Sequence, residues 1–306
     1  MMTSLYRITV IGRNTLTEAV RQKVLSVLLI FALVLVGSSV LVSEIAGGLD
    51  ASSLFEQQIK FVKDFGCGAI GLFGFAIALL STAQLIPQEL HNRTIYTILA
   101  KPVRRSEFLL GKFFGIVLLL ALCVALMSLA FAAALYWQEQ LGLAAVDAAD
   151  TQIPNWQQNP TLVSQYHNDV AQIYQQVRDP QLIEAILLLF MKLVMTTGIA
   201  LLISTFASSS IFTIVTTFMI YLIGHMESTA REFWLARGAE MSIWQSGLVG
   251  FISLLIPDMN SFTIVDEILA GNHVPWSHAL NLLGYANAYL IVLLAVSIII
   301  FDYREL

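Results

Sequence analysis

The sequence is poor in charged residues, and this scarcity excludes most classes of soluble protein. Only 12% of its 306 residues are Asp, Glu, Lys or Arg, whereas 57% are hydrophobic. An ordinary soluble domain carries about 25% charged residues. A chain with so few charges cannot cover a water-exposed surface of this size, so the composition predicts an integral membrane protein.

Cysteine and concentrated basic charge are also scarce. Cys67 and Cys123 both fall inside apolar runs, so no disulfide framework is expected. The net charge is -5 and the Lys and Arg residues are not gathered in one patch, which excludes a nucleic-acid footprint. The histidines match no zinc spacing, so no metal site is predicted.

The sequence lacks the Gly-x-x-x-x-Gly-Lys-Ser/Thr phosphate loop as well. Without the backbone donors of that loop, the chain is not expected to hydrolyse ATP by itself. No Ser/His/Asp triad or pair of carboxylates stands out either. A membrane enzyme with its site in the outer loops is therefore the least favoured hypothesis.

Long apolar runs are what the sequence has in abundance. A helix that crosses a bilayer needs roughly 20 mostly apolar residues. We therefore predict one all-α transmembrane domain over residues 1–306. A further run at 243–256 is too short to cross and fits a re-entrant element. The six predicted spans cover residues 24–42, 65–86, 108–137, 182–206, 211–226 and 278–301.

The distribution of Lys and Arg predicts the orientation. Segments 1–23 and 88–112 are basic, and basic loops favour the cytoplasm. With six spans, both termini then lie in the cytoplasm. Three segments lie outside: an acidic link at 44–64, a polar insertion at 138–181 that contains a predicted helix at 161–177, and an outer or re-entrant segment at 227–277.

The first 23 residues predict an amphipathic helix. Apolar residues recur near helical spacing, with Arg7, Arg13 and Arg21 between them. Such a helix lies in the inner membrane interface, with its cations near the lipid headgroups. The alternative is a basic flank that only sets the topology.

A second basic segment, 88–112, separates two apolar runs. Its middle, 89–100, lacks Pro and Gly and predicts a short helix that Pro102 stops. A short helix on the cytoplasmic face would give a soluble partner a place to bind. The alternative is a solvated face that sets topology by charge alone. Between the fourth and fifth spans, residues 207–210 are too few for more than a tight hairpin, so these two helices should pack as antiparallel neighbours.

These features together resemble a known family, the membrane subunits of type-2 ATP-binding-cassette exporters. The resemblance covers nearly the whole chain, and segment 88–112 is its most specific part. That segment has the acidic Glu89 followed by Arg93-Thr94, then Lys101-Pro-Val and the pair Gly111-Lys112. The other matching parts are residues 14–24, 202–210, 256–262 and 301–306.

The resemblance implies a permease, in the bacterial inner membrane, that couples ATP hydrolysis to export. It implies two copies of a separate ATPase, which binds ATP and Mg, and a second copy of this chain or a related permease. The substrate stays open, with an amphipathic one suited to the few charges in the spans. The alternative is a non-transporting scaffold that passes ATPase-driven movement to an outer accessory protein through 138–181. The implied ATPase contacts are Glu89, His91, Asn92, Arg93, Thr94 and Tyr96.

Lys192 stands about ten residues into the fourth predicted span. A charge at that depth costs at least about 2.5 kcal/mol, so the side chain should face protein or water. It either lines a pathway for an anionic substrate, or it has a structural role as a snorkelling side chain or in an ion pair, with Glu184 or Glu44 as candidate partners.

Glycines recur near helical spacing in the second predicted span, at Gly68, Gly71 and Gly74. Small residues let helix backbones approach closely. These glycines form either a dimer seam or a contact with a neighbouring helix of the same chain. Gly111 and Gly115 in the third span allow the same two interpretations.

Overall fold

All regular elements of the described chain are helical, which confirms the predicted fold class. The computed structural model describes residues 4–46, 51–91, 104–151, 156–236, 244, 256–262, 267 and 275–304. Two short 3-10 turns, Trp156–Gln158 and Asn260–Phe262, accompany the α-helices. The α-helices are α1 (Ser4–Val20), α2 (Lys23–Ala46), α3 (Ala51–Ala83), α4 (Leu85–His91), α5 (Arg105–Thr151), α6 (Pro160–Val177), α7 (Gln181–Phe206), α8 (Ser210–Ala236) and α9 (Trp276–Tyr303).

The number of membrane-crossing helices agrees with the sequence prediction. In the described part of the chain, 5 helical stretches are long and apolar enough to cross a bilayer. A sixth comes from α1 and α2 taken together, which are bent by 68° at their junction. The predicted helix in residues 1–23 is confirmed as α1, while its place in the membrane interface stays a prediction.

Two helices extend beyond the spans that the sequence predicts for them. The acidic link at 44–64 is largely helical, because α3 begins at Ala51. Likewise, α8 continues to Ala236, so the first ten residues of the outer segment 227–277 extend a helix. Residues 51–64 and 227–236 contain no Pro or Gly to stop a helix, so each helix runs past the end of its apolar part. Most of the run 243–256 lies outside the described residues.

Other boundaries were predicted well. α6 begins at Pro160, next to an N-cap in which Asn159 accepts a hydrogen bond from the Thr161 amide at 3.1 Å. The hairpin after α7 is as tight as predicted, since α7 ends at Phe206 and α8 begins at Ser210. Cys67 and Cys123 are both buried free thiols.

The bundle is built around α7, whose residues 192–201 are all buried. It contacts α3, α5, α8 and α9. By contrast, α8 exposes large apolar side chains such as Ile211, Phe212 and Met226. A face of this kind fits lipid or another protein subunit rather than water.

Candidate functional site

The structure describes the two ends of the basic segment 88–112. Its first residues belong to α4, which begins at Leu85, so the helix starts earlier than the predicted residue 89. The end of the segment is the first part of α5. His91 is the last residue of α4. The remaining predicted ATPase contacts, Asn92, Arg93, Thr94 and Tyr96, lie outside the described residues, as does Pro102.

A buried ion pair joins α4 to α5. Glu89 contacts the ammonium of Lys112, and the two side chains are 12% and 5% exposed. Glu18 of α1 lies 3.7 Å from the same ammonium. Burial raises the pKa of the Glu89 carboxyl, and the charge and hydrogen bond of Lys112 offset this only in part. The end of α4 is thereby fixed to α5, and the same lysine also connects α5 to α1.

A second ion pair holds α1 on the first turn of α5. Arg7 lies 3.2 Å from the carboxylate of Glu107. The same carboxylate accepts a hydrogen bond from the Arg104 amide at 3.2 Å, as an acidic residue at a helix N-terminus commonly does. The charged side chains thus set how far along α5 the helix α1 binds.

Glycines allow α1 and α5 to approach closely. A Cβ atom on Gly115 would lie 2.6 Å from the carbonyl oxygen of Gly12, and one on Gly111 would lie 2.7 Å from the Cβ of Ile11. Neither distance is compatible with a side chain. Gly111 and Gly115 therefore contact a helix of their own chain, one of the two interpretations that the sequence allowed.

Two arginines extend these contacts to the other end of the sequence. The Nη1 atom of Arg105 donates to the carbonyl oxygens of Phe301 at 3.0 Å, Asp302 at 3.0 Å and Arg304 at 2.8 Å. The guanidinium of Arg304 donates to the carbonyls of Thr205 at 2.5 Å and Ala207 at 3.3 Å. The start of α5, the end of α9 and the α7–α8 hairpin are thus connected.

The sequence places Arg105 in the basic segment 88–112 and Arg304 in the matching part 301–306, but it predicts no contact for either residue. One signal was available: a cation just beyond the end of a helix is well placed to bind its last carbonyls, and Arg304 directly follows α9. Only the folded chain shows which other helix ends lie within reach of Arg304.

An apolar cluster lies beside these polar contacts. The rings of Phe108 and Phe301 stack with their centroids 6.1 Å apart. The cluster contains residues from α4, α5, α7 and α9, so these helix ends pack as one unit. Its buried members are Ile86, Phe108, Leu109, Phe113, Val194, Leu201 and Phe301.

Comparison with known families identifies the chain. Residues 10–306 match the family described as ABC-2 family transporter protein. The chain belongs to this family. It is therefore a transmembrane component of an ABC transporter, a permease whose family works with an ABC ATPase subunit. No curated protein matches the sequence.

Lys192 of the permease is buried between α7 and α8. Its ammonium lies 3.4 Å from Nδ1 of His225 and 5.5 Å from the ring centroid of Tyr221. Neither neighbour was foreseen. Glu184 is buried in the first turn of α7, and the side chain of Glu44 lies outside the described part of the structure. Pathway and structural roles for Lys192 both stay predictions.

The glycines of α3 have different surroundings. A Cβ on Gly74 would lie 2.5 Å from Leu193, and one on Gly71 would lie 3.7 Å from Leu189. Both therefore face α7 within the same chain. A Cβ on Gly68 would meet nothing within 4 Å, so a role in a dimer seam stays a prediction for this residue alone.

Proposed function

We propose that the permease is the membrane part of an ATP-driven exporter, moved by a separate ATPase that binds the connection between α4 and α5. Two ATPase chains hold ATP and Mg, and their closure pushes this connection in two permease chains of the inner membrane. The permease itself hydrolyses no ATP. The permease contacts the ATPase through the connection and the end of α4. Both termini of the permease lie on the same, cytoplasmic side as these contacts.

The observation that carries the proposal is how firmly both ends of the connection are held. Glu89 of α4 contacts Lys112 of α5, and Arg7 of α1 contacts Glu107. A force on the connection is therefore passed at both of its ends to a packed group of helices. This is what a rigid-body switch requires.

Co-purification tests the ATPase contact. We expect the double variant Arg93→Ala/Tyr96→Ala to lose most of the ATPase that the tagged wild-type permease captures. The matched control is Gln165→Ala/Gln172→Ala, which removes two exposed polar side chains of α6 and should capture the ATPase normally. Equal capture by all three proteins would contradict the proposed contact.

A hydrophobic or amphipathic cargo fits the exposed surface best. Large apolar side chains on α8 and α9, such as Phe218 and Leu280, are exposed, and the predicted spans contain few charges. Vesicles that contain the permease, its ATPase and fluorescent phospholipid test this. ATP-dependent movement of the lipid between leaflets is the expected result, and movement of soluble anions alone would refute it.

The second candidate is a scaffold that moves an outer partner. One observation favours it: α6 is bound to the outer part of α5 by Arg178, which lies 2.7 Å from Glu139, and by Tyr166, which donates to Asp147 at 2.9 Å. Movement of α5 would therefore carry α6 with it. ATP-driven cargo movement in vesicles without any outer protein would exclude this candidate.

A further inference from the structure

Arg105 and Arg304 connect the region proposed to bind the ATPase to a part of the permease that lies far from it in the sequence. Arg105 is in the first turn of α5, immediately after the α4–α5 connection. The α7–α8 hairpin is about a hundred residues away, and the hydrogen bond from Arg304 to Thr205 spans 99 residues. The arginine hydrogen bonds between these regions pass through the end of α9.

The two sets of hydrogen bonds meet at one residue. The main-chain carbonyl of Arg304 accepts from Arg105, while the side chain of Arg304 donates to Thr205 and Ala207. The contacts are therefore in series: α5 holds the end of α9, and the end of α9 holds the hairpin. We call these two residues and their five hydrogen bonds the arginine relay.

The chemistry of the accepting groups favours a firm connection. The last carbonyls of a helix have no partner within the helix, and the relay uses such carbonyls at the ends of both α7 and α9. A guanidinium is always charged and presents several donors in a fixed plane, so it binds carbonyls in one geometry. The stacked rings of Phe108 and Phe301 keep α5 and α9 aligned beside it.

We propose that the arginine relay carries ATPase-driven movement from the start of α5 to the α7–α8 hairpin, and that Arg105 and Arg304 are positioning residues for coupling. The inference rests on the proposed function. It adds that the hairpin and the connection move together because of these two side chains, and not only because both belong to the same bundle.

Hydrogen–deuterium exchange of the permease–ATPase complex in lipid nanodiscs tests this. In the wild type, ATP should change the exchange of both segment 88–104 and the hairpin at 207–209. In Arg105→Gln, segment 88–104 should still respond to ATP, whereas the response of the hairpin should be lost. Arg105→Lys keeps the charge but replaces the planar guanidinium by a shorter side chain with a point charge, so we expect a hairpin response between the two.

Controls separate coupling from folding. Arg13→Gln removes the same charge from an exposed side chain of α1 that belongs to neither the connection nor the relay, and should behave as the wild type. Arg304→Gln breaks only the second step, so it should lose the hairpin response while keeping the bonds between Arg105 and α9. The two steps act in series. The double variant Arg105→Gln/Arg304→Gln should therefore lose no more of the hairpin's response to ATP than the single variant with the larger loss.

Each outcome decides one question. A hairpin that responds normally in both Arg105→Gln and Arg304→Gln, while segment 88–104 also responds, overturns the relay and leaves the proposed function intact. A wild-type permease that captures no ATPase, or whose segment 88–104 ignores ATP, overturns the proposed function and the relay with it. A variant that is unfolded before ATP is added shows altered exchange throughout. The other single variant then decides whether the relay couples the hairpin to segment 88–104.

Discussion

At the scale of single residues, the ion pair of Glu89 and Lys112 combines burial with charge. Lys112 is almost fully buried, and its ammonium also lies 5.8 Å from the centroid of the Phe108 ring. The raised pKa of Glu89 shows that burial outweighs the attraction of the lysine for this carboxylate. The lysine therefore favours the charged form of Glu89, against the effect of burial.

Removing the lysine should destabilise the permease in a pH-dependent way. In Lys112→Met, Glu89 loses the cation that it contacts and its pKa rises further, so the carboxyl becomes charged only at higher pH. We expect a loss of about 1–3 kcal/mol at pH values above this raised pKa. Because a protonated Glu89 is neutral, the loss should shrink as the pH falls through that pKa.

Thermal unfolding in nanodiscs across a pH series measures this effect. Glu18→Gln is the matched control, because Glu18 approaches the same ammonium but its side chain is 56% exposed. An exposed pair contributes about 0–1 kcal/mol, so this variant should unfold close to the wild type. A loss in Lys112→Met that stays constant with pH would contradict the role given to Glu89.

At the scale of elements, the contact between α1 and α5 depends on backbone proximity. α1 presents Gly12, Thr15 and Ala19 as its buried face. Its other face exposes Leu5, which is 75% exposed, and Val10, which is 49% exposed. One face therefore packs on the bundle while the other is free for the lipid interface that the sequence predicts.

A side chain at Gly115 should release α1. We expect Gly115→Leu to lower the stability by about 1–3 kcal/mol, because its Cβ would overlap the backbone of α1. A single cysteine introduced by Thr15→Cys, at a site 2% exposed, should then react faster with a maleimide. Gly37→Leu is the control, since a Cβ there meets nothing within 4 Å. Equal reactivity in the two backgrounds would refute the close contact.

Several helix boundaries could be predicted from the sequence. Pro160 and the short hairpin mark helix ends through local chemistry, so α6 and the junction of α7 with α8 were predicted correctly. The start of α3 was not, because apolar character ends at the membrane but a helix ends only at a stop signal. The arginine relay was beyond prediction, since it depends on which helix ends meet in space and how each helix is rotated.

At the scale of the whole molecule, the proposed function requires the α4–α5 end of the bundle to face the cytoplasm. The α7–α8 hairpin lies at this end, because Arg304 binds it. α6 follows the far end of α5. The hairpin and α6 should therefore lie on opposite sides of the bilayer.

Cysteine labelling in intact cells tests this orientation. In a background with Cys67→Ala and Cys123→Ala, a membrane-impermeant maleimide should react with Ser164→Cys on α6 but not with Ser209→Cys in the hairpin. Both serines are exposed, so access rather than burial decides the result. Permeabilised cells serve as the control, in which both sites should react. Labelling of Ser209→Cys in intact cells would reverse the orientation and end the proposed ATPase contact.

The length of α5 gives small movements a large effect. Its 47 residues form one continuous helix of about 70 Å, more than twice the roughly 30 Å of a hydrocarbon core. With a fulcrum near the midpoint of the helix, a rotation of about 5° would displace each tip by roughly 3 Å. A small displacement of Arg105 would thus move Thr151, at the other end of the helix and on the far side of the membrane, in the opposite direction. No break in the helix lies between them.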